Sequence, residues 1–105
     1  MGKSTIKAPS ISATESLVID LVGRDERYGL EIIALSGHKL KRGTIYVTLS
    51  RMEQKGFIIS RQEEPNPAGI GLPRRMYRVT AYGLQVQKAY KALSKTLALK
   101  PAVAR

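Results

Sequence analysis

Around residues 42–56 the side chains divide into two faces of different chemistry. In a helix, at about 100° per residue, Ile45, Leu49, Met52 and Gly56 share one narrow sector, while Gly43, Val47, Ser50, Arg51 and Gln54 occupy the opposite one. The second set suits the edges of DNA bases. A guanidinium can bond guanine bidentately, a carboxamide adenine, a hydroxyl several bases, and an exposed valine can touch the thymine methyl. Thr44, Tyr46, Thr48 and Lys55 flank this sector, where hydroxyls and an ammonium would meet phosphates that fix register without reading sequence. Lys41 and Arg42 stand at the helix start, where the dipole disfavours cations by about a few tenths of a kcal/mol per charge. An arriving phosphate reverses that sign, bringing free amides, dipole and two cations onto one anion. A solvated polar face whose cations extend into water stays open at this point.

Arg74, Arg75 and Arg78 form a second cluster, three arginines in five residues, behind a segment stiffened by Pro65, Pro67 and Pro73. Such a cluster can lie along a phosphate backbone or reach into a minor groove; an irregular loop with incidental charge is the plain alternative. Other motifs fail. Gly2-Lys3-Ser4-Thr5 resembles the end of a phosphate-binding loop without room for its upstream glycine and strand. Ile6 stands where a myristoylation signal wants Ser or Thr. His38 has no second ligand or partner, so it reads as a polar turn residue or a phosphate contact, and neither catalytic residues nor a metal site nor a cofactor is expected. The reading is not an enzyme.

The chain has 105 residues, 18 Lys plus Arg against 8 Asp plus Glu, and a formal charge of +10. One small domain with a basic surface follows, since 43% hydrophobic residues support a single modest core. Without cysteine there is no disulfide framework, cysteine zinc cluster or thiol nucleophile, which suits a reducing cytosol. No apolar run approaches the roughly 20 residues needed to cross a bilayer, and no signal peptide follows Met1, so a soluble, cytoplasmic protein is expected and no membrane partner. Charge is lopsided. After Glu64 there is no acid, while Arg74, Arg75, Arg78, Lys88, Lys91, Lys95, Lys100 and Arg105 follow, which makes polyanions the leading partner class.

The elements that must position these residues are legible from caps and periods. Residues 1–11 read as a flexible basic arm. Ser12 to Glu15 has capping-box spacing and opens a helix with Leu17, Val18, Leu21 and Val22 on one face, ended by Gly23. A short helix from about Tyr28 to Leu35 turns Leu30, Ile33 and Ile32 inward and stops at Ser36-Gly37. His38 to Leu40 is expected as a short extended piece before the helix from Arg42 to Lys55, which Gly56 ends. Phe57-Ile58-Ile59 and Met76 to Val79 read as strands of a hairpin whose tip, Pro65 to Pro73, can be neither helix nor strand. Thr80 caps a last helix to about Leu99.

This order, mainly α with a small β component (α+β), is that of a winged helix-turn-helix with a β-hairpin wing and a C-terminal dimerisation helix. Residues 12–80 make the DNA-binding domain, 81–99 the dimerisation helix and 100–105 a tail. In the last helix Val86, Tyr90, Leu93 and Leu97 are four, three and four apart, the seam spacing of paired helices. The seam could instead close the monomer core, or line a small-molecule pocket between protomers with Tyr82 and Tyr90, so an effector is left open.

Tyr28-Gly29-Leu30-Glu31-Ile32, Arg42-Gly43-Thr44-Ile45-Tyr46, Leu49 to Gly56, and Arg74-Arg75-Met76-Tyr77-Arg78-Val79-Thr80 with Gly83 together resemble PadR-family transcriptional regulators, over about residues 15–84. The resemblance implies a homodimeric winged helix-turn-helix that binds palindromic operators, usually as a repressor. It would make Thr44 and Tyr46 DNA contacts of the recognition helix, Arg51 a base or phosphate contact, and Arg74 and Arg75 part of the wing. Lys41-Arg42 stand where relatives often have Ser-Pro, and Val47 where they have Pro, so an operator sequence does not transfer. The long C-terminal domain or last-helix tryptophan of many relatives is missing here.

The sequence therefore predicts a sequence-specific, double-stranded-DNA-binding transcriptional regulator, a nucleoid-associated homodimer that represses by occluding a promoter. Arg51, Val47, Ser50 and Gln54 would read bases; Lys41, Arg42, Thr44, Tyr46, Arg74 and Arg75 would hold phosphates; Val86, Tyr90, Leu93 and Leu97 would form the dimer interface. The alternative is an architectural or RNA-associated basic winged-helix protein that binds by charge and shape.

Overall fold

A computed structural model of the chain describes residues 10–65, 71 and 73–98. Of the arm expected over residues 1–11, residues 1–9 lie outside the described residues, as do most of the hairpin tip including Pro67 and the tail. Ile11 packs against the core and the Ser10 carbonyl accepts from Lys55, rather than belonging to a flexible arm. The elements run α1 (Ala13–Val22), β1 (Arg27–Tyr28), α2 (Gly29–Leu35), α3 (Arg42–Lys55), β2 (Ile58–Gln62), β3 (Arg75–Val79) and α4 (Ala81–Ala98). The three strands form one antiparallel sheet in the order β1-β3-β2. This is a winged helix fold, as expected.

Local chemistry explains most boundaries. At α1 the Glu15 amide donates to the Ser12 hydroxyl at 3.0 Å and the Ser12 amide donates to the Glu15 carboxylate at 2.9 Å, the reciprocal capping box read from the sequence. α3 ends at Gly56, whose φ of 84° is the left-handed conformation that costs glycine nothing. The Thr80 hydroxyl accepts from the Gly83 amide at 2.9 Å, so Thr80 does cap α4. Gly83 is further constrained by its neighbour, since a Cβ there would collide with the Phe57 carbonyl where α4 crosses the start of the wing.

The core gathers Val18, Ile19 and Val22 of α1, Ile32 of α2, Ile45, Leu49 and Met52 of α3, Phe57 and Ile58 at the wing, and Tyr77 and Val86. Several expectations need correction. Leu30 is exposed rather than inward, because α2 is only two turns long and Ile32 takes its one fully buried position. On α1 Ile19 is buried while Leu17 and Leu21 are only partly so, and Gly56 is exposed as a cap rather than part of the buried sector. His38 to Leu40 is a turn, not an extended piece: Gly37 and His38 have φ of 68° and 64°. The Ser36 hydroxyl donates to the Ile33 carbonyl at 2.6 Å and accepts from the Leu40 amide at 3.2 Å. The additional strand is Arg27–Tyr28, two residues that pair with Tyr77 and Met76. Among the described residues no helix is long and apolar enough to cross a membrane.

Candidate nucleic-acid interface

The core decides which side of α3 is free. Ile45, Leu49 and Met52 have no accessible surface, so Gly43, Val47, Ser50, Arg51 and Gln54 are all turned outward. Val47 is 53% exposed, an apolar group left in water. Thr44 and Tyr46 are exposed beside it. Lys41 is the N-cap residue in extended backbone and provides no side-chain cap, so the first-turn amides and the Lys41 and Arg42 side chains open on the same end. Among the described residues no ion pair involves Lys41, Arg42 or Arg51.

Two flanking residues are placed differently from the sequence reading. Thr48 is buried rather than available to a phosphate. Lys55 turns away from the groove face: its ammonium donates to both oxygens of the buried Glu15 carboxylate at 3.0 Å and to the Ser10 carbonyl at 2.8 Å. It pins the end of α3 to the start of α1.

At the wing the arginines are largely engaged. Arg61 grips Glu26 through two nitrogens, one at 2.8 Å and the other at 2.6 Å, which lowers the Glu26 carboxyl below its ordinary range. Arg74 donates from Nε at 3.0 Å and Nη2 at 2.8 Å to Glu63, and its guanidinium lies 4.3 Å from the centre of the Tyr28 ring. Those side-chain bonds, then the Arg74 amide, hold the Glu63 carboxyl at about 2, well below its ordinary 4.5. Among the described residues Arg75 meets no carboxylate; it donates to the Ser60 hydroxyl at 3.0 Å and the Gln62 side-chain carbonyl oxygen at 3.2 Å. Ser60 in turn donates to Glu53 of α3 at 2.6 Å.

Between α3 and the wing lies a concavity of about 420 Å³ lined by Tyr28, Gly29, Arg42, Tyr46, Arg74 and Arg75, among others. It brings together residues of two separate segments that the sequence suggests as phosphate contacts. Tyr28 and Gly29 were not expected as site residues. The Tyr46 hydroxyl packs so closely on Gly29 that a Cβ there would lie 2.5 Å from it. A glycine opening a helix, where most residues would be more favourable, was the signal that could have pointed to it.

α4 carries the residues expected from the sequence at a dimer interface. Val86 is buried in the chain's own core rather than free for a partner and Tyr90 is half-buried, whereas Leu93 and Leu97 are exposed at 59% and 60%. A groove of about 680 Å³ runs along this face, lined by Ile11, Tyr82, Val86, Ala89, Tyr90 and Leu93 with others.

Comparison with known proteins agrees with this architecture. A PadR-family regulator from Clostridium difficile R20291 superposes with a TM-score of 0.71 at 26% identity, over 83% of this chain and 92% of the other. One from Eggerthella lenta DSM 2243 gives 0.69 at 26%, over 81% and 74%. Bacillus subtilis PadR, solved in complex with operator DNA, shares the fold with a TM-score of 0.65 at 24% identity, over 75% of this chain and 46% of its own. No curated protein matches in sequence. The transcriptional regulator PadR-like family profile matches residues 18–89, well over half the chain, and the protein therefore belongs to that family.

Proposed function

We propose that the protein is a sequence-specific double-stranded-DNA-binding regulator of transcription that acts as a homodimer and represses by occluding a promoter. The observation that carries this is the outward face of α3, where Val47, Ser50, Arg51 and Gln54 stand exposed between Lys41 and Arg42 at one end and Arg75 at the wing. Base-reading groups surrounded by unneutralised cations suit a major groove flanked by its phosphates. The Bacillus subtilis relative was solved with operator DNA, which supports duplex DNA as the partner class. Residues 12–80 act as the reading unit and 81–99 as the pairing helix, with Leu93 and Leu97 meeting a second copy. The role is binding rather than catalysis, exercised in the cytoplasm at the nucleoid.

The test is to incubate purified protein with sheared genomic DNA and sequence what it retains at near-physiological salt. Enrichment of a shared inverted repeat is expected, because a two-fold dimer reads two half-sites. Uniform retention would favour the architectural reading instead. Leu93→Glu should halve the mass seen in sedimentation; an unchanged mass would remove α4 from the dimer contact.

A further inference from the structure

We infer that Glu63 acts as an internal competitor for phosphate, suppressing sequence-independent binding at the wing; this rests on the DNA-binding reading. The carboxylate occupies the Nε and Nη2 edge of Arg74, one of the two two-donor edges a guanidinium can offer a phosphate, at 3.0 and 2.8 Å. Three further contacts fix the pair. The Arg74 amide donates to Glu63 Oε1 at 3.3 Å, the Glu63 amide donates to the Arg74 carbonyl at 2.7 Å, and the Tyr28 ring backs the guanidinium. Both side chains are still partly open to solvent, 49% for Arg74 and 32% for Glu63, so the pair stands on the rim where a backbone strand would pass.

The neighbours single out Arg74 as the neutralised cation. Arg42 and Arg75 line the same concavity and meet no carboxylate among the described residues, whereas the third cation of the cluster is neutralised. A phosphate arriving there faces a pair of zero net charge and must displace Glu63 to use the Nε and Nη2 edge, with only the Nη1 side of Arg74 left to it otherwise. That penalty is the same for every base sequence, because phosphate contacts carry no base information. Affinity for every duplex is lowered by the same factor, so Glu63 weakens the phosphate-driven part of binding and leaves discrimination between sequences to the base-reading face of α3.

The experiment measures binding of a scrambled duplex of about 30 base pairs across a salt series by fluorescence anisotropy. It compares the unaltered protein, Glu63→Gln, Glu64→Gln and the double variant Glu63→Gln/Arg74→Gln. Glu63→Gln should bind about two- to fivefold tighter, with a log–log salt slope steeper by roughly 0.9, one further phosphate neutralised. Glu64→Gln, the same charge change one residue along, should move the slope by less than half as much. The double variant should return to the original slope. Equal slopes for the unaltered protein and Glu63→Gln overturn the inference, as do equal gains in both single variants, which reflect net charge alone. Weaker binding by Glu63→Gln at an unchanged Tm also overturns it, since Glu63 would then serve the wing's geometry. If none of the four proteins binds the duplex at low salt, the DNA-binding reading fails, and the inference with it.

Discussion

The outer face of α3 and the base of the wing both carry arginine, yet the two regions treat it in opposite ways. On α3, Arg51 rises from a helix whose other side is locked into the core, and no acid stands within pairing distance among the described residues. At the sheet, antiparallel pairing brings segments of different sequence together: Arg74 finds Glu63 across the hairpin, and Arg61 of β2 reaches Glu26 just ahead of β1, beyond β3. A helix separates its faces by period, whereas a sheet juxtaposes residues that its sequence keeps apart. The same side chain is thereby presented to solvent in one element and internally neutralised in the other.

That contrast can be broken at several points. The largest effect is expected at Lys55, which the structure takes out of the groove and sets on a carboxylate only 4% exposed. Lys55→Met should cost about 2 kcal/mol of stability, less than a fully buried pair because Lys55 itself is partly open. Sequence discrimination should fall with the seating of α3 while the salt slope stays unchanged; a flatter slope would return Lys55 to the phosphate contacts. Arg51→Ala should cost about 1.5 kcal/mol on the preferred sequence, much less on scrambled DNA, with no change in Tm. Equal losses on both would make Arg51 a phosphate contact.

Smaller effects sharpen the wing side. Arg75→Gln should flatten the salt slope by roughly 0.9 on any duplex, whereas Arg61→Gln, whose charge Glu26 already cancels, should leave it unchanged. Equal slopes for these two variants would show that pairing with an acid does not decide which arginine meets DNA. The smallest is a pH effect. Because the Glu63 carboxyl is held at about 2 against an ordinary 4.5, the pair's contribution is complete above about pH 5 and disappears as pH falls through about 2. A carboxyl NMR titration should find Glu63 still ionised at pH 4; protonation near 4.5 would mean the pair with Arg74 is loose in solution.

Much of the architecture is local and was legible without coordinates. The Ser12 to Glu15 box, the left-handed stop at Gly56 and the Thr80 cap each satisfy backbone groups within a few residues, so their signals lie in contiguous sequence. The outward placement of Val47, Ser50, Arg51 and Gln54 follows from the same helical period that buries Ile45, Leu49 and Met52. β1 was not legible, because two residues carry no period and become a strand only when Tyr77 and Met76 pair with them.

Sequence by itself therefore determined where the helices begin and end, which side of α3 faces out and how the basic charge is distributed, since capping and periodicity act over one or two turns. Tertiary structure alone decided which cations remain available. Glu15 takes Lys55 from forty positions away, and Glu63 takes Arg74 across the hairpin. Ion pairing depends on separation in space over a few ångströms, and only the packing of α1 on α3 and of β2 on β3 sets those separations.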